Sequence, residues 1–125
     1  MRKGIFLDDE RNVADVVWVS LWQDVEWTVV RTYDDFVDAV LDVVQSEEEC
    51  VYSFDHDIQD FKEGRGRRVE RTGHDCLKFM CEEYIAAELP LPPIMIHTRN
   101  PIGAENMQAS YEHYRNYADQ LTDSN

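Results

Sequence analysis

The chain has 125 residues, 26 acidic against 12 basic, and a formal net charge of −14. Its size suits one domain, 1–125, around one core, and its charge argues against sequence-independent binding of nucleic-acid phosphates, which needs clustered Lys and Arg. No stretch approaches the roughly 20 apolar residues of a membrane helix and no charged leader precedes an apolar run, so a soluble, cytoplasmic protein with no membrane partner is expected.

Gly4-Ile5-Phe6-Leu7 is a short apolar run that stops at Asp8-Asp9, the pattern of a strand buried on both faces. Asn12 is a plausible helix cap, and Val13, Val16, Val17 and Leu21 then recur at helical spacing to about Trp22. Trp27 to Arg31 reads as a second strand. Asp34-Asp35 opens a helix to about Gln45, with Phe36, Val37, Val40, Leu41 and Val44 as its apolar stripe. Cys50 to Phe54 is a third strand, ending at once in Asp55-His56-Asp57. Ile58 to Thr72 shows no convincing periodicity and is expected to be a functional or disordered segment.

Gly73 starts a helix that buries Leu77, Met80, Cys81, Tyr84 and Ile85 and stops before Pro90, Pro92 and Pro93. Ile94-Met95-Ile96 is a fourth buried strand, leading into His97-Thr98-Arg99-Asn100. Pro101 then suits the first turn of a last helix, with Met107, Tyr111, Tyr114, Ala118 and Leu121 inward. This alternation implies right-handed crossovers and an open, mainly parallel four-stranded α/β sheet with helices on both faces. Cys50, Cys76 and Cys81 lack metal-site spacing, and their odd number fits reduced core thiols.

Ligands of such sheets bind outside the carboxyl ends of the strands, where strand order reverses. That rule gathers Asp8, Asp9, Asp55, His56, Asp57 and His97 along one edge. Converging carboxylates repel one another unless a cation neutralises them, so Asp8, Asp9 and Asp55 are candidate ligands for Mg²⁺ or Mn²⁺. Asp57 is a fourth candidate, and Asp9 and Asp57 have a second reading as caps of the turns that follow. His56 and His97 add imidazoles able to carry protons near neutral pH or to widen the metal choice towards Zn²⁺. His113, on the last helix, is expected at the surface.

Two helices start at the same edge, which favours an anion there, with Thr72, His74, Thr98 and Asn100 as candidate contacts. Arg11 and Arg99 either stabilise developing negative charge or pair with neighbouring acids. Lys62, Arg65, Arg67, Arg68 and Arg71 are five of the twelve basic residues in ten positions, reading either as a cationic flap for a phosphate-bearing ligand or as a solvated loop.

Four motifs, Leu7-Asp8-Asp9-Glu10-Arg11, Phe54-Asp55-His56-Asp57-Ile58, Thr72-Gly73-His74-Asp75 and Ile96-His97-Thr98-Arg99-Asn100-Pro101, together resemble those of the cyclic-phosphate processing receiver domains. This is a receiver-like family of bacteria and their phages. The resemblance covers almost the whole chain and implies a receiver-like, flavodoxin-like fold. It places Asp8, Asp9 and Asp55 where receivers bind magnesium, Asp55 where they accept a phosphoryl group, and Thr98 where a hydroxyl touches the phosphate. Receivers continue into a fifth strand bearing a lysine, and neither is read in this sequence, so a sheet truncated to four strands is expected and phosphoacceptor signalling at Asp55 ranks last.

The leading expectation is a metal-dependent phosphoesterase for a cyclic phosphate or cyclic nucleotide. In that reading Asp55 lies at the reacting centre, a metal-activated water attacks, and His97 or His56 protonates the leaving oxygen. The rival is a non-enzymatic receiver-like module that binds a nucleotide or a partner protein through its acidic surface. Trp18 and Trp22 either form an outward patch for such a partner or a homodimer, or pack in the core.

Overall fold

The computed structural model describes residues 2–16, 19, 22–64 and 66–123, the last two by backbone only. Among them the chain forms β1 (Arg2–Leu7), a 3-10 turn (Val13–Asp15), β2 (Val25–Val30), α1 (Tyr33–Ser46), β3 (Cys50–Phe54), β4 (Asp60–Gly64), β5 (Arg67–Arg71), α2 (Gly73–Ala86), β6 (Ile94–Ile96) and α3 (Pro101–Asp123). The main sheet is the expected one: β2-β1-β3-β6, parallel throughout, with Leu7 beside Val30 and Phe54, and Phe54 beside Ile96. None of the described helices is long and apolar enough to cross a membrane.

Strand alternation divides the core in two. Ile5, Leu7, Tyr52 and Phe54 face the larger part, which Phe36 and Val40 of α1, Leu77 and Met80 of α2, and Met107 and Tyr111 of α3 complete. Phe6 faces the other way and packs with Val16 and Val19, joined by Trp27, Val29 and Met95. With both faces covered, the inner strands read as unbroken apolar runs, which is why their ends were legible.

The helix expected after Asn12 is described only in part: it opens on a 3-10 turn, and Val19 is helical. Asn12 does cap a helical turn, but Asp15 folds back on it, its carboxylate accepting from Asn12 N at 2.8 Å. That closes the 3-10 turn of Val13–Asp15, and Val16 follows it in an extended conformation with φ −119° and ψ 100°. Val17, Trp18 and Leu21, and with them half of the tryptophan patch, lie outside the described residues. Trp22 is half-buried and stacks on Trp27, with ring centroids 6.2 Å apart.

The segment 58–72 also differs from expectation, because it holds a hairpin. β4 and β5 pair antiparallel from Asp60 with Arg71 to Gly64 with Arg67. Neither face of this ribbon is buried, so no period-2 hydrophobicity marked it; Phe61 and Val69 are 44% and 45% exposed. Gly66, at φ 77°, supplies the left-handed residue that a tight hairpin turn requires. The base is clamped to α1: Asp60 Oδ2 accepts from Tyr33 N at 2.8 Å, and Arg71 pairs with Asp34 while lying 4.5 Å over the Tyr33 ring.

Candidate functional site

The strand ladders run one residue beyond the sheet at its carboxyl edge. Asp8 N donates to Val30 O (3.1 Å), Asp55 N to Leu7 O (2.9 Å) and His97 N to Phe54 O (2.8 Å). Each bond fixes the backbone of a polar residue beside the end of a neighbouring strand. Three side chains from distant parts of the sequence are thereby brought to one point where strand order reverses.

Asp8 is almost wholly buried, at 1% exposure, and its carboxylate is saturated. Oδ1 accepts from Glu10 N (2.9 Å) and Arg11 N (2.8 Å), while Oδ2 accepts from Arg11 Nε (2.8 Å) and lies 3.1 Å from His97 Nε2. Burial pushes the carboxyl up, but the N–H groups of Arg11 and Glu10 and the charges of Arg11 and His97 outweigh it and hold the group below its ordinary value. Arg31 braces the loop from outside, donating to the carbonyls of Asp8 (3.2 Å) and Arg11 (2.9 Å) and to Asn12 Oδ1 (2.8 Å).

At the end of β3, Asp55 Oδ1 accepts from His56 N at 2.8 Å. Burial raises the Asp55 carboxyl and the neighbouring Asp8 charge adds to this; the Thr98 hydroxyl, His56 N–H and Arg11 oppose, and the net direction is upward. Asp9 is raised as well, chiefly by burial. The His56 ring lies over the first turn of α3, where a Cβ on Gly103 would come 2.7 Å from its Cγ. Its Nδ1 is 2.9 Å from Asp57 Oδ1, and Asn100 Nδ2 donates to Asp57 Oδ2 at 3.3 Å. Because a carboxylate only accepts, His56 Nδ1 is the donor to Asp57, and Nε2 has no hydrogen-bond partner among the described residues.

The start of α2 is pressed against this loop. Gly73 N donates to His56 O at 2.7 Å, and a Cβ on Gly73 would overlap the Asp55 carbonyl oxygen, so only glycine allows the approach. Thr72 caps the helix in a reciprocal box with Asp75, and His74 Nε2 bridges to Ser110 Oγ of α3 at 2.6 Å.

His97 has no exposed surface. Its ring stacks on Phe6 with centroids 4.3 Å apart, and Nδ1 meets Ser53 Oγ at 2.6 Å. The ionised Asp8 fixes the tautomer: Nε2–H donates to Asp8, and Nδ1 accepts from the Ser53 hydroxyl. Burial pushes this imidazole down to about 4 despite the Asp8 charge, so it is neutral at pH 7. Both ring nitrogens are engaged inside the protein.

Among the described residues, one group of potential metal ligands converges: Asp8, Asp9 and Asp55, with an oxygen of each within 4.8 Å of the others. Three hard carboxylate oxygens at a buried edge fit Mg²⁺ or Mn²⁺. Asp57 is exposed and tied to His56 and Asn100 instead. Thr98 Oγ1 accepts from Asn100 N (3.2 Å), and Asn100 Oδ1 caps α3 at Gly103 N (2.9 Å), so both shape the start of that helix. Arg99 is exposed, without an ion-pair partner among the described residues, and His113 is exposed. Arg31 and Ser53 were missed from sequence. Ser53 had a signal: a small polar side chain in the run Cys50 to Phe54 needs a buried partner.

The basic segment rises from this edge as the hairpin, between Asp57 and Gly73. Arg71 belongs to its clamp, whereas Lys62, Arg67 and Arg68 are exposed, with Arg68 4.3 Å over the Phe61 ring; Arg65 is outside the described residues. Comparisons with curated proteins and with solved structures gave no match. A family model, described as the cyclic-phosphate processing receiver domain, matches residues 3–113 and so takes in all four motifs and every strand end described above. The chain therefore belongs to the cyclic-phosphate processing receiver domain family.

Proposed function

We propose that this domain is a divalent-cation-dependent phosphoesterase that opens a small cyclic phosphate, with His56 as its proton carrier. The observation that carries this reading is an oriented imidazole beside a carboxylate triangle. Asp57 holds His56 Nδ1 at 2.9 Å, and Asp8, Asp9 and Asp55 converge within 4.8 Å in the adjoining loops. An imidazole with one nitrogen fixed by a carboxylate and the other free is the arrangement general acid–base chemistry needs.

A divalent cation on the three carboxylates supplies positive charge to a phosphoryl oxygen. His56 Nε2 takes a proton from the attacking water as the new P–O bond forms. The imidazolium returns that proton to the ester oxygen as the ring P–O bond breaks, giving a linear phosphomonoester with no other reactant consumed. Asp57 stabilises the imidazolium, and Asn100 steadies Asp57. Arg99 and the exposed Lys62, Arg67 and Arg68 meet the anionic ligand. His97 acts on this chemistry by holding Asp8 in place.

Turnover of a panel of cyclic nucleotides and 2′,3′-cyclic phosphates, separated by anion-exchange chromatography, tests the reading. A linear monoester should form with Mg²⁺ or Mn²⁺ and not with EDTA. His56→Asn should lower kcat by about 10²–10⁴-fold while Mn²⁺ binding is retained. Wild-type protein that binds Mn²⁺ normally yet turns over no member of the panel would overturn it. Tight ligand binding without turnover would favour the non-enzymatic binding module.

A further inference from the structure

The fourth acceptor position of Asp8 sets an unexpected condition on cation binding. An ionised carboxylate offers about four acceptor positions, and all four are filled here. Three of the donors are fixed by the fold: two backbone N–H groups of the 8–11 turn and the buried His97 imidazole, which Ser53 and Phe6 lock. The fourth is Nε of Arg11, a long side chain that keeps 19% of its surface in water. The same guanidinium donates through Nη2 to His97 O at 3.1 Å and stands 3.7 Å from Asp55 Oδ1. It therefore spans Asp8 and Asp55, two corners of the carboxylate triangle.

We infer that Arg11 is an internal counterion which a divalent cation must displace from Asp8 and Asp55. The inference rests on the cation-binding part of the function proposed above. Three ionised carboxylates carry a charge of three, of which one guanidinium neutralises one, so the triangle keeps an unmet demand for positive charge. A divalent cation meets more of that demand and needs the Asp8 oxygen that Arg11 Nε holds. The backbone and imidazole donors stay, because moving them would disrupt the turn and the core. Arg11, tethered at the exposed rim, is the donor that can leave. Once released, its guanidinium stands beside the cation as a contact for a phosphate oxygen. Cation entry thus creates the anion contact, and Arg11 lowers the cation affinity of the ligand-free protein in exchange.

Two measurements on the full chain test this. In Mg²⁺ titrations followed by ¹H–¹⁵N spectra of arginine side chains, the Arg11 Nε–H resonance, identified by its absence in Arg11→Lys, should shift and lose protection from solvent exchange. Its midpoint should match that of Mg²⁺ binding by calorimetry. In parallel, Arg11→Ala should bind Mn²⁺ about tenfold more tightly than wild type, since the competing charge is gone. An Nε–H resonance unmoved at saturating Mg²⁺, or Arg11→Ala binding equal to or weaker than wild type, overturns the counterion role and leaves cation binding intact. Absence of Mg²⁺ and Mn²⁺ binding by both proteins overturns the cation reading and this inference together. Should Arg11→Ala fail to fold, the wild-type resonance decides.

Discussion

His97 Nε2 donates to Asp8 Oδ2 across 3.1 Å, and neither side chain keeps more than 1% of its surface in water. The pair couples the acidic loop after β1 to the end of β6, so the imidazole is a strut for the site. Besides Asp8, it faces the Arg11 guanidinium, the Ser53 hydroxyl and the Phe6 ring.

That burial gives the metal-free protein an acid-sensitive stability. Folded His97 stays neutral down to about pH 4, whereas the unfolded imidazole takes a proton near its ordinary 6.5. The unfolded state binds more protons across that window, so stability falls as pH drops from 6.5 towards 4, by about 3 kcal/mol in all. Asp8, held low, is lost only below its ordinary 3.8, while Asp9 and Asp55, held high, act in the opposite sense. Urea melts in EDTA at pH 7.5, 5.5 and 4.5 should show this fall, and His97→Gln should show a flatter profile. Equal slopes in the two proteins would place the acid sensitivity elsewhere.

Two glycines separate crowding from backbone freedom. Gly73→Ala drives a methyl into the Asp55 carbonyl and should cost about 3 kcal/mol or more, with loss of Mn²⁺ binding as the Asp55–His56 loop shifts. Gly66→Ala meets nothing within 4 Å and strains only the left-handed turn at φ 77°, so it should cost about 1 kcal/mol and leave Mn²⁺ binding unchanged. Chemical denaturation and calorimetry on both variants give the comparison; similar losses in the two would refute it.

Much of this fold was legible because the inner strands β1 and β3 are covered on both faces. Apolar runs such as Gly4 to Leu7 stop where the chain leaves the core, and polar residues there mark the sheet edge. The hairpin was not legible, since Lys62, Val69 and Arg67 share a face without burying it and the period-2 signal vanishes. At the site, residue types identified the carboxylate triangle, but depth and partnership were beyond local sequence. His97 and His56 both follow strands beside acids; one is sealed against Phe6 and the other lies over α3 with Nε2 free. Arg31, read as a strand end, braces the acidic loop through carbonyls some 20 positions earlier, a relationship only the β1–β2 register creates.

The three thiols should be inert in the folded protein. Burial pushes Cys50 up to about 11 and Cys81 up to about 12, and Cys76 is raised further still. The thiolate is the reactive form, so a disulfide reagent at pH 8 should leave native protein unlabelled and titrate three thiols after unfolding. One thiol reacting at the rate of a free cysteine in native protein would contradict this placement.

The hairpin predicts a split between its basic residues. Arg71 is part of the clamp, paired with Asp34 and Asp60 and lying over Tyr33, and its Nε is buried without a partner. Arg71→Ala should therefore lower stability by about 1–2 kcal/mol, because it removes packing as well as charge and releases β5 from α1. Lys62 and Arg67 are exposed members of one ribbon face in a chain whose net charge is −14. Reversing both, Lys62→Glu with Arg67→Glu, touches no buried contact and should leave the melting temperature unchanged. Removing local positive potential instead weakens capture of an anion, so KM for a turned-over cyclic phosphate should rise about tenfold at low salt with kcat preserved. That difference should shrink as ionic strength is raised, since exposed charges are screened within about 10 Å at 0.1 M salt. A double reversal that lowers kcat without moving KM would put these residues at the chemical step, and one that changes neither would leave the hairpin outside ligand binding altogether.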